Sequence, residues 1–128
     1  MITEDYCSPE VAKLLEEKEF DEEISTYYLV HPSGFPEFFN KKDEFVNPED
    51  VWLKCPTHQM AMKWLREMHN IIIVIEPHMY DYVNERNASY VCSIWVGDNY
   101  YENPISTDYP TFEETVDAAL KYILKNLI

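Results

Sequence analysis

The chain has 128 residues, of which 46% are hydrophobic and 15% aromatic, so it has enough apolar material for a packed core and is not intrinsically disordered. We expect a single domain over residues 1–128. The 24 acidic and 10 basic side chains give a formal charge of −14, which repels phosphate backbones and anionic lipid. Direct binding of nucleic acid or of a membrane is therefore disfavoured. The charge favours a basic protein partner, or it serves solubility alone.

The sequence pattern does not favour a membrane helix, a signal peptide or a disulfide framework. The longest uninterrupted apolar run, Ile71 to Ile75, is far shorter than the ~20 residues of a membrane helix. The N-terminal residues lack the basic and apolar regions of a signal peptide, and we expect a cytoplasmic protein. The cysteines are odd in number and widely spaced, which does not indicate a disulfide framework: Cys7, Cys55 and Cys92.

Residues 8–18 are typical of a first helix, with Ser8 as the N-cap and Pro9 at the first helical position. The densest acidic patch of the chain follows: Glu16, Glu17, Glu19, Asp21, Glu22 and Glu23. We interpret this patch as a secondary contact surface for a partner, against the simpler alternative of a solvated helix face.

A strand is predicted over residues 25–31, because β-branched and aromatic residues dominate there and Pro32 and Gly34 follow. Residues 32–50 form a long irregular connection whose phenylalanines suggest that it is held against the body of the protein. Val51 to Lys54 fit a further short strand.

The central part of the chain predicts a helix that leads directly into a buried strand. Thr57 can cap the helix, and apolar side chains then recur at helical spacing: Met60, Ala61, Trp64, Leu65 and Met68. Ile71 to Ile75 are five β-branched residues in a row, which favours a strand buried on both faces or central in a sheet.

Pro77 is expected to interrupt the sheet, with a short second strand at 80–83 and a turn at 84–87. Residues 90–96 predict a strand in which Trp95 belongs to the core, closed by Gly97-Asp98-Asn99. The last helix begins at a capping box, Thr111-Phe-Glu-Glu114, and keeps an apolar stripe to the C-terminus.

These elements predict an α+β fold in the order α-β-α-β-β-α. We expect a small, mainly antiparallel sheet of residues 71–76 and 90–96, joined by 26–31 and 80–83, with two to three helices packed on one face. The second and third helices should pack side by side through six residues: Trp64, Leu65, Met68, Leu120, Ile123 and Leu124.

Signals for catalysis are weak. Cys55 precedes a helix N-terminus, which would lower its pKa, and His58 follows three residues later as a candidate base or metal ligand. His58 and His69 lie roughly 16 Å apart along one helix axis and cannot share an ion. With two glycines in the chain, a phosphate-binding loop is nearly excluded. We therefore interpret Cys55 as a small buried residue and predict no catalytic, cofactor-binding or metal-binding residue.

Tyrosines are concentrated in the predicted hairpin and in the loop after it. Tyrosine suits half-exposed contact surfaces, because it combines a large apolar ring with a polar tip. We predict an interaction surface formed by Tyr80, Tyr82, Tyr100 and Tyr101. The alternative is that these rings only cover the open face of the sheet.

Three segments together resemble a group of small uncharacterised proteins encoded by gut anaerobic bacteria, their phages and mobile elements. These segments are Tyr6 to Leu15, Pro56 to Glu67 with His69 to Ile71, and Phe112 to Ile128. The resemblance implies no catalytic or binding residue. It does imply an accessory protein of a phage or mobile element.

We carry three functional hypotheses forward. The first is a small non-enzymatic factor that binds a protein partner, itself a monomer or weak dimer. The second is an acidic mimic of nucleic acid that blocks a basic host protein, which needs carboxylates spaced at ~7 Å like the phosphates of one strand. The third is an enzyme or small-ligand binder with a pocket between the tyrosine-rich hairpin and the 32–50 loop.

Overall fold

The computed structural model describes residues 4–30, 36–40, 51–82, 85–105 and 108–128, with the backbone alone for residues 78–82 and 85–88. Within these residues the elements follow in the order α1 (Pro9–Glu17), β1 (Tyr27–Val30), β2 (Glu37–Phe39), β3 (Val51–Lys54), α2 (His58–His69), β4 (Ile71–Tyr82), β5 (Glu85–Val96), β6 (Asn99–Glu102) and α3 (Phe112–Asn126). The fold is α+β, as predicted.

The predicted helix starts are confirmed, each by a side-chain hydroxyl that accepts a hydrogen bond from the first turn. Ser8 accepts from the Val11 N–H, Thr57 from the Met60 N–H and Thr111 from the Glu114 N–H, at 3.3, 3.2 and 3.1 Å. Each hydroxyl satisfies one of the backbone donors that a helix leaves free at its N-terminus.

The strands form two antiparallel sheets rather than one. The first sheet has the order β2-β1-β3 and the second has the order β4-β5-β6. The prediction that residues 26–31 join the 71–96 sheet is wrong. Strand β1 pairs with β2 on one side and with β3 on the other, so both of its hydrogen-bonding edges are occupied.

Strand β4 continues through Pro77, contrary to the prediction of an interruption and a separate strand at 80–83. It pairs with β5 without a break from Ile71 opposite Val96 to Tyr82 opposite Glu85. Pro77 lies opposite Tyr90, whose N–H and C=O bond instead to Tyr109, at 2.8 and 3.2 Å. Because β5 directs its polar groups away from β4 at this point, Pro77 has no ladder hydrogen bond to lose.

Strands β5 and β6 are joined by Gly97 and Asp98 alone. Gly97 has a φ of 58°, the positive value that the first position of a tight hairpin turn requires and that favours glycine. Its N–H donates to the carbonyl of Asn70 at 3.0 Å. Asn70 caps the C-terminus of α2 in the left-handed conformation, so one hydrogen bond joins the end of α2 to this turn.

The core lies between the helices and one face of the β4–β5–β6 sheet. Side chains of that face, such as Ile71 and Ile94, pack with the apolar stripes of all three helices. Five of the six residues predicted to join α2 to α3 are buried: Trp64, Leu65, Leu120, Ile123 and Leu124. Met68 was predicted wrongly, since 64% of it is exposed. The His69 ring, centred 4.7 Å from that of Trp64, packs at this end of the helix.

Candidate functional site

An exposed row of apolar side chains crosses the face of the β4–β5–β6 sheet that the helices leave uncovered. Ile72 lies opposite Trp95, and Trp95 lies opposite Tyr100, so the three residues sit side by side on three neighbouring strands. Their exposed fractions are 44%, 39% and 50%. We call Ile72, Trp95 and Tyr100 the outer row. Trp95, predicted to be a core residue, is therefore a surface residue.

Contacts within the outer row hold its two aromatic rings in place. The rings of Trp95 and Tyr100 lie with their centroids 4.7 Å apart and their planes inclined at 41°. The Tyr100 hydroxyl donates to the Ser93 hydroxyl at 3.0 Å. A surface whose side chains are already ordered loses less conformational entropy when a partner binds.

Two acidic side chains share this face with the outer row, both to the same side of it along the strands. Glu102 lies opposite Ser93 and Glu76 lies opposite Val91, and both glutamates are exposed. Both charged residues on the described part of this face are thus negative. The described part of this face therefore combines an apolar row with acidic side chains on one side of it.

Of the four tyrosines predicted as one surface, Tyr100 and Tyr101 lie on opposite faces of the sheet. Tyr100 belongs to the outer row, but Tyr101 lies opposite the buried Ile94 and so belongs to the helix-covered face of the sheet. Tyr80 and Tyr82 lie in β4 opposite Asn87 and Glu85, and for these two tyrosines the structure describes the backbone only.

The predicted acidic patch is a surface feature. All six of its side chains are exposed: Glu16, Glu17, Glu19, Asp21, Glu22 and Glu23. They occupy the end of α1, a turn in which Glu19 has a φ of 64°, and the irregular segment that follows. Lys54 approaches this segment, with its ammonium group 2.9 Å from the Glu22 carbonyl and 3.6 Å from the Asp21 carboxylate.

Most of the 32–50 loop, which the third hypothesis places across a pocket from the hairpin, lies outside the described residues. Its described part, residues 36–40, contains β2 and belongs to the other sheet. Pro36 lines a cavity of about 700 Å³ together with residues of α1, β1 and β3. Tyr109, which follows the hairpin in the chain, lines two clefts together with residues of α3.

Sequence reasoning missed a buried polar contact between α2 and α3. His58 is 7% exposed, and its Nε2 lies 3.3 Å from the Asp117 carboxylate, which also accepts the Ser8 N–H at 3.0 Å. Burial opposes ionisation of Asp117, but the hydrogen bonds from His58 and Ser8 outweigh it and lower the pKa of the carboxyl. The Ser8 hydroxyl caps α1, so the backbone bond from Ser8 to Asp117 ties the start of α1 to this contact. The contact joins three helices.

Cys55 is a buried residue, as predicted. It is fully buried, and this burial raises its pKa to about 11, against a smaller lowering by its hydrogen bond with Tyr28. Burial also raises the pKa of Cys7, and it raises that of Cys92 to about 11. Thiols with raised pKa values carry little of the nucleophilic thiolate at neutral pH.

Within the described parts of the chain, no three His, Cys, Asp or Glu side chains are grouped so that they could hold a metal ion. No helix among the described residues has both the length and the apolar character needed to span a bilayer. Comparisons of the chain with protein-family models, with curated proteins and with solved structures find no match.

Proposed function

We propose that this protein is a small non-enzymatic binding factor that recognises a basic protein through the outer row. The observation that carries the proposal is the exposure, side by side, of Ile72, Trp95 and Tyr100 on an otherwise uncovered sheet face. Trp and Tyr supply most of the binding energy at many protein interfaces, because large rigid rings lose little entropy when they are buried. An exposed apolar cluster bordered by polar residues is typical of an interaction site.

The charge of the chain supports a basic partner. A net charge of −14 raises the encounter rate with a positively charged surface, and it disfavours nucleic acid or anionic lipid as the direct ligand. Glu102 places part of this charge next to the outer row, and Glu76 places more of it further along the same face. The sequence resemblance supports a role as a cytoplasmic accessory factor of a phage or mobile element.

The proposal is tested by affinity capture with variants that separate the two faces of β6. Wild-type protein, Tyr100→Ser and Tyr101→Ser are immobilised at equal density and exposed to a lysate of the source organism, and captured proteins are identified by mass spectrometry. We expect a basic protein that is retained by the wild type and by Tyr101→Ser but lost with Tyr100→Ser. The two tyrosines are neighbours and are 50% and 37% exposed, so Tyr101→Ser is a matched control.

A second candidate function, an acidic mimic of nucleic acid, is favoured by the six exposed carboxylates of residues 16–23. The mimic would need regular spacing of these groups, whereas they are spread over a helix end, a left-handed turn and an irregular segment. In the same capture experiment, the triple charge reversal Glu16→Lys, Glu17→Lys and Glu22→Lys distinguishes the two functions. Loss of the partner with this variant, together with retention by Tyr100→Ser, would establish the mimic and exclude the outer row.

A further inference from the structure

One edge of β4 carries backbone groups that no other strand of the described residues pairs. Strand β4 stands first in the order β4-β5-β6, so β5 occupies only one of its two edges. The N–H and C=O of Tyr90 bond to Tyr109, so Tyr90 and Pro77 opposite it both direct their polar groups away from the contact between β4 and β5. Because this direction alternates along an antiparallel pair, Ile73 and Ile75 also direct their N–H and C=O groups outward. We call this side of β4 the open edge.

Apolar side chains adjoin the open edge on both faces of the sheet. On the helix-covered face, Ile73 and Ile75 pack against the core but are only partly buried. On the other face, the outer row ends at Ile72, which belongs to β4. A further strand beside β4 would cover Ile73 and Ile75, and it would place one more residue next to Ile72 in the outer row.

Pro77 and Glu76 determine where such a strand ends and which charge it carries. Pro77 has no N–H group, so pairing along the open edge loses a donor there. Glu76 is exposed on the face of the outer row, where a lysine or arginine of the added strand would lie beside it. Two copies of this chain carry −14 each and repel one another. The charge therefore favours a basic segment over a second copy.

We propose that the open edge binds an extended basic segment of the partner, which pairs antiparallel with Ile71 to Glu76 as a fourth strand. This inference rests on the proposed function, because it states how the basic protein reaches the outer row. The residue of the segment opposite Glu76 is basic, and the residue opposite Ile72, four positions later, is apolar. In strand addition, main-chain hydrogen bonds supply affinity and alternate side chains supply specificity.

The test measures amide hydrogen exchange of the ¹⁵N-labelled full chain with and without the peptide acetyl-Lys-Lys-Val-Thr-Val-Phe-Thr-Lys-amide. In the antiparallel register its second lysine lies opposite Glu76 and its phenylalanine opposite Ile72. We expect the amides of Ile73 and Ile75 to exchange roughly tenfold or more slowly once the peptide saturates the chain. The amides of Ile72 and Val74 face β5 and are the internal control, since they are protected in both states.

Two N-methylated forms of the peptide separate backbone pairing from side-chain contact. Methylation of both valines removes the two N–H groups that face β4, and it should weaken binding roughly tenfold or more, since two hydrogen bonds are lost. Methylation of the first threonine and the phenylalanine removes N–H groups that face away from β4, and this peptide should bind nearly as tightly as the unmodified one. Equal weakening by the two forms would overturn strand addition.

The remaining outcomes distinguish this inference from the proposed function. If millimolar peptide gives no protection at Ile73 and Ile75, strand addition is overturned, and the outer row stands as long as capture depends on Tyr100. Protection by the peptide together with retention of the captured protein by Tyr100→Ser would support the open edge and overturn the outer row. Protection that rises with protein concentration in the absence of peptide would overturn the proposal and assign the open edge to a second copy.

Discussion

Tyr100 and Tyr101 are consecutive in the chain, yet they belong to opposite faces of the β4–β5–β6 sheet. Tyr100 lies opposite the exposed Trp95, and Tyr101 lies opposite the buried Ile94. In a strand, successive side chains alternate between the two faces. Tyr100 and Tyr101 therefore do not belong to one surface. The exposed apolar surface is completed by Trp95 and Ile72, which come from the other two strands.

The first prediction concerns how Glu76 and Glu102, which share the face of the outer row, act on binding. With the partner identified by capture, the variant Glu76→Lys with Glu102→Lys should lower the association rate constant and flatten its dependence on salt. The dissociation rate constant should change little, because charges at the margin of an interface act mainly on encounter. Surface plasmon resonance across a salt series measures both constants. A change confined to the dissociation rate would place these glutamates in the buried centre of the interface.

The second prediction concerns the packing of α2 against α3. Trp64→Asp or Leu120→Asp should abolish cooperative unfolding, since each places an unpaired charge among buried apolar side chains. Met68→Asp, on the same helix as Trp64 but 64% exposed, should unfold cooperatively with nearly the wild-type midpoint. Chemical denaturation followed by circular dichroism gives the comparison. If the three variants behave alike, the helices do not dock through these residues.

The third prediction concerns the buried contact of Asp117 with His58 and Ser8. Asp117→Ala should lower the free energy of unfolding at pH 7 by roughly 1.5–3 kcal/mol, because the buried His58 and the partly buried Ser8 N–H lose their charged acceptor. Glu113→Gln, an exposed change in the same helix, is the control and should cost far less.

The pH dependence of that loss follows from the direction of the pKa shift. The folded-state pKa of Asp117 is lowered below its ordinary value of 3.8, so the folded state binds fewer protons there than the unfolded state. The stabilisation is present above the unfolded pKa and is lost as the pH falls through the folded one. The difference between wild type and Asp117→Ala should therefore shrink below about pH 4. A constant difference down to pH 2 would contradict the shift.

The fourth prediction concerns the turn between β5 and β6. Gly97→Ala should cost about 1–2 kcal/mol of unfolding free energy, because a Cβ atom disfavours the positive φ of this residue. The new Cβ would meet only the Asn70 side chain, at 3.6 Å, which is ordinary contact. Gly97→Asn should cost less, since asparagine tolerates positive φ better. Thermal melts of the two variants measure the difference, and a more stable Gly97→Ala would show that the turn is not constrained.

The fifth prediction concerns the thiols. Cys7, Cys55 and Cys92 are fully buried and have raised pKa values. The native protein should therefore react very slowly with a disulfide reagent such as Ellman's at pH 8, and denaturant should release all the thiols together. The measurement is the absorbance of the released thiolate against time. Fast reaction of Cys55 alone in the native protein would restore the hypothesis of an activated nucleophile.

Local features of the molecule could be predicted from the sequence because they depend on near neighbours along the chain. A hydroxyl at Ser8, Thr57 or Thr111 reaches a backbone N–H three residues later, and this relationship is complete within one turn. The apolar stripes of the helices follow equally from spacing. The α+β class depends on such elements alone. The spacing of Met68 fits the apolar stripe of α2, yet its side chain is exposed. Its exposure depends on which other elements pack against the last turn of α2, and spacing along the helix does not determine that.

The partners of each strand and the covered face of each sheet were decided only by the tertiary structure. Ile71 to Ile75 are apolar on both sides, so alternation in β4 does not indicate which side the helices cover. The assignment of β1 to a separate sheet depends on pairing with β2 and β3, which lie at distant and weakly patterned positions. The outer row depends on both decisions: its three residues come from three strands, and they are exposed because the helices pack on the opposite side of the sheet.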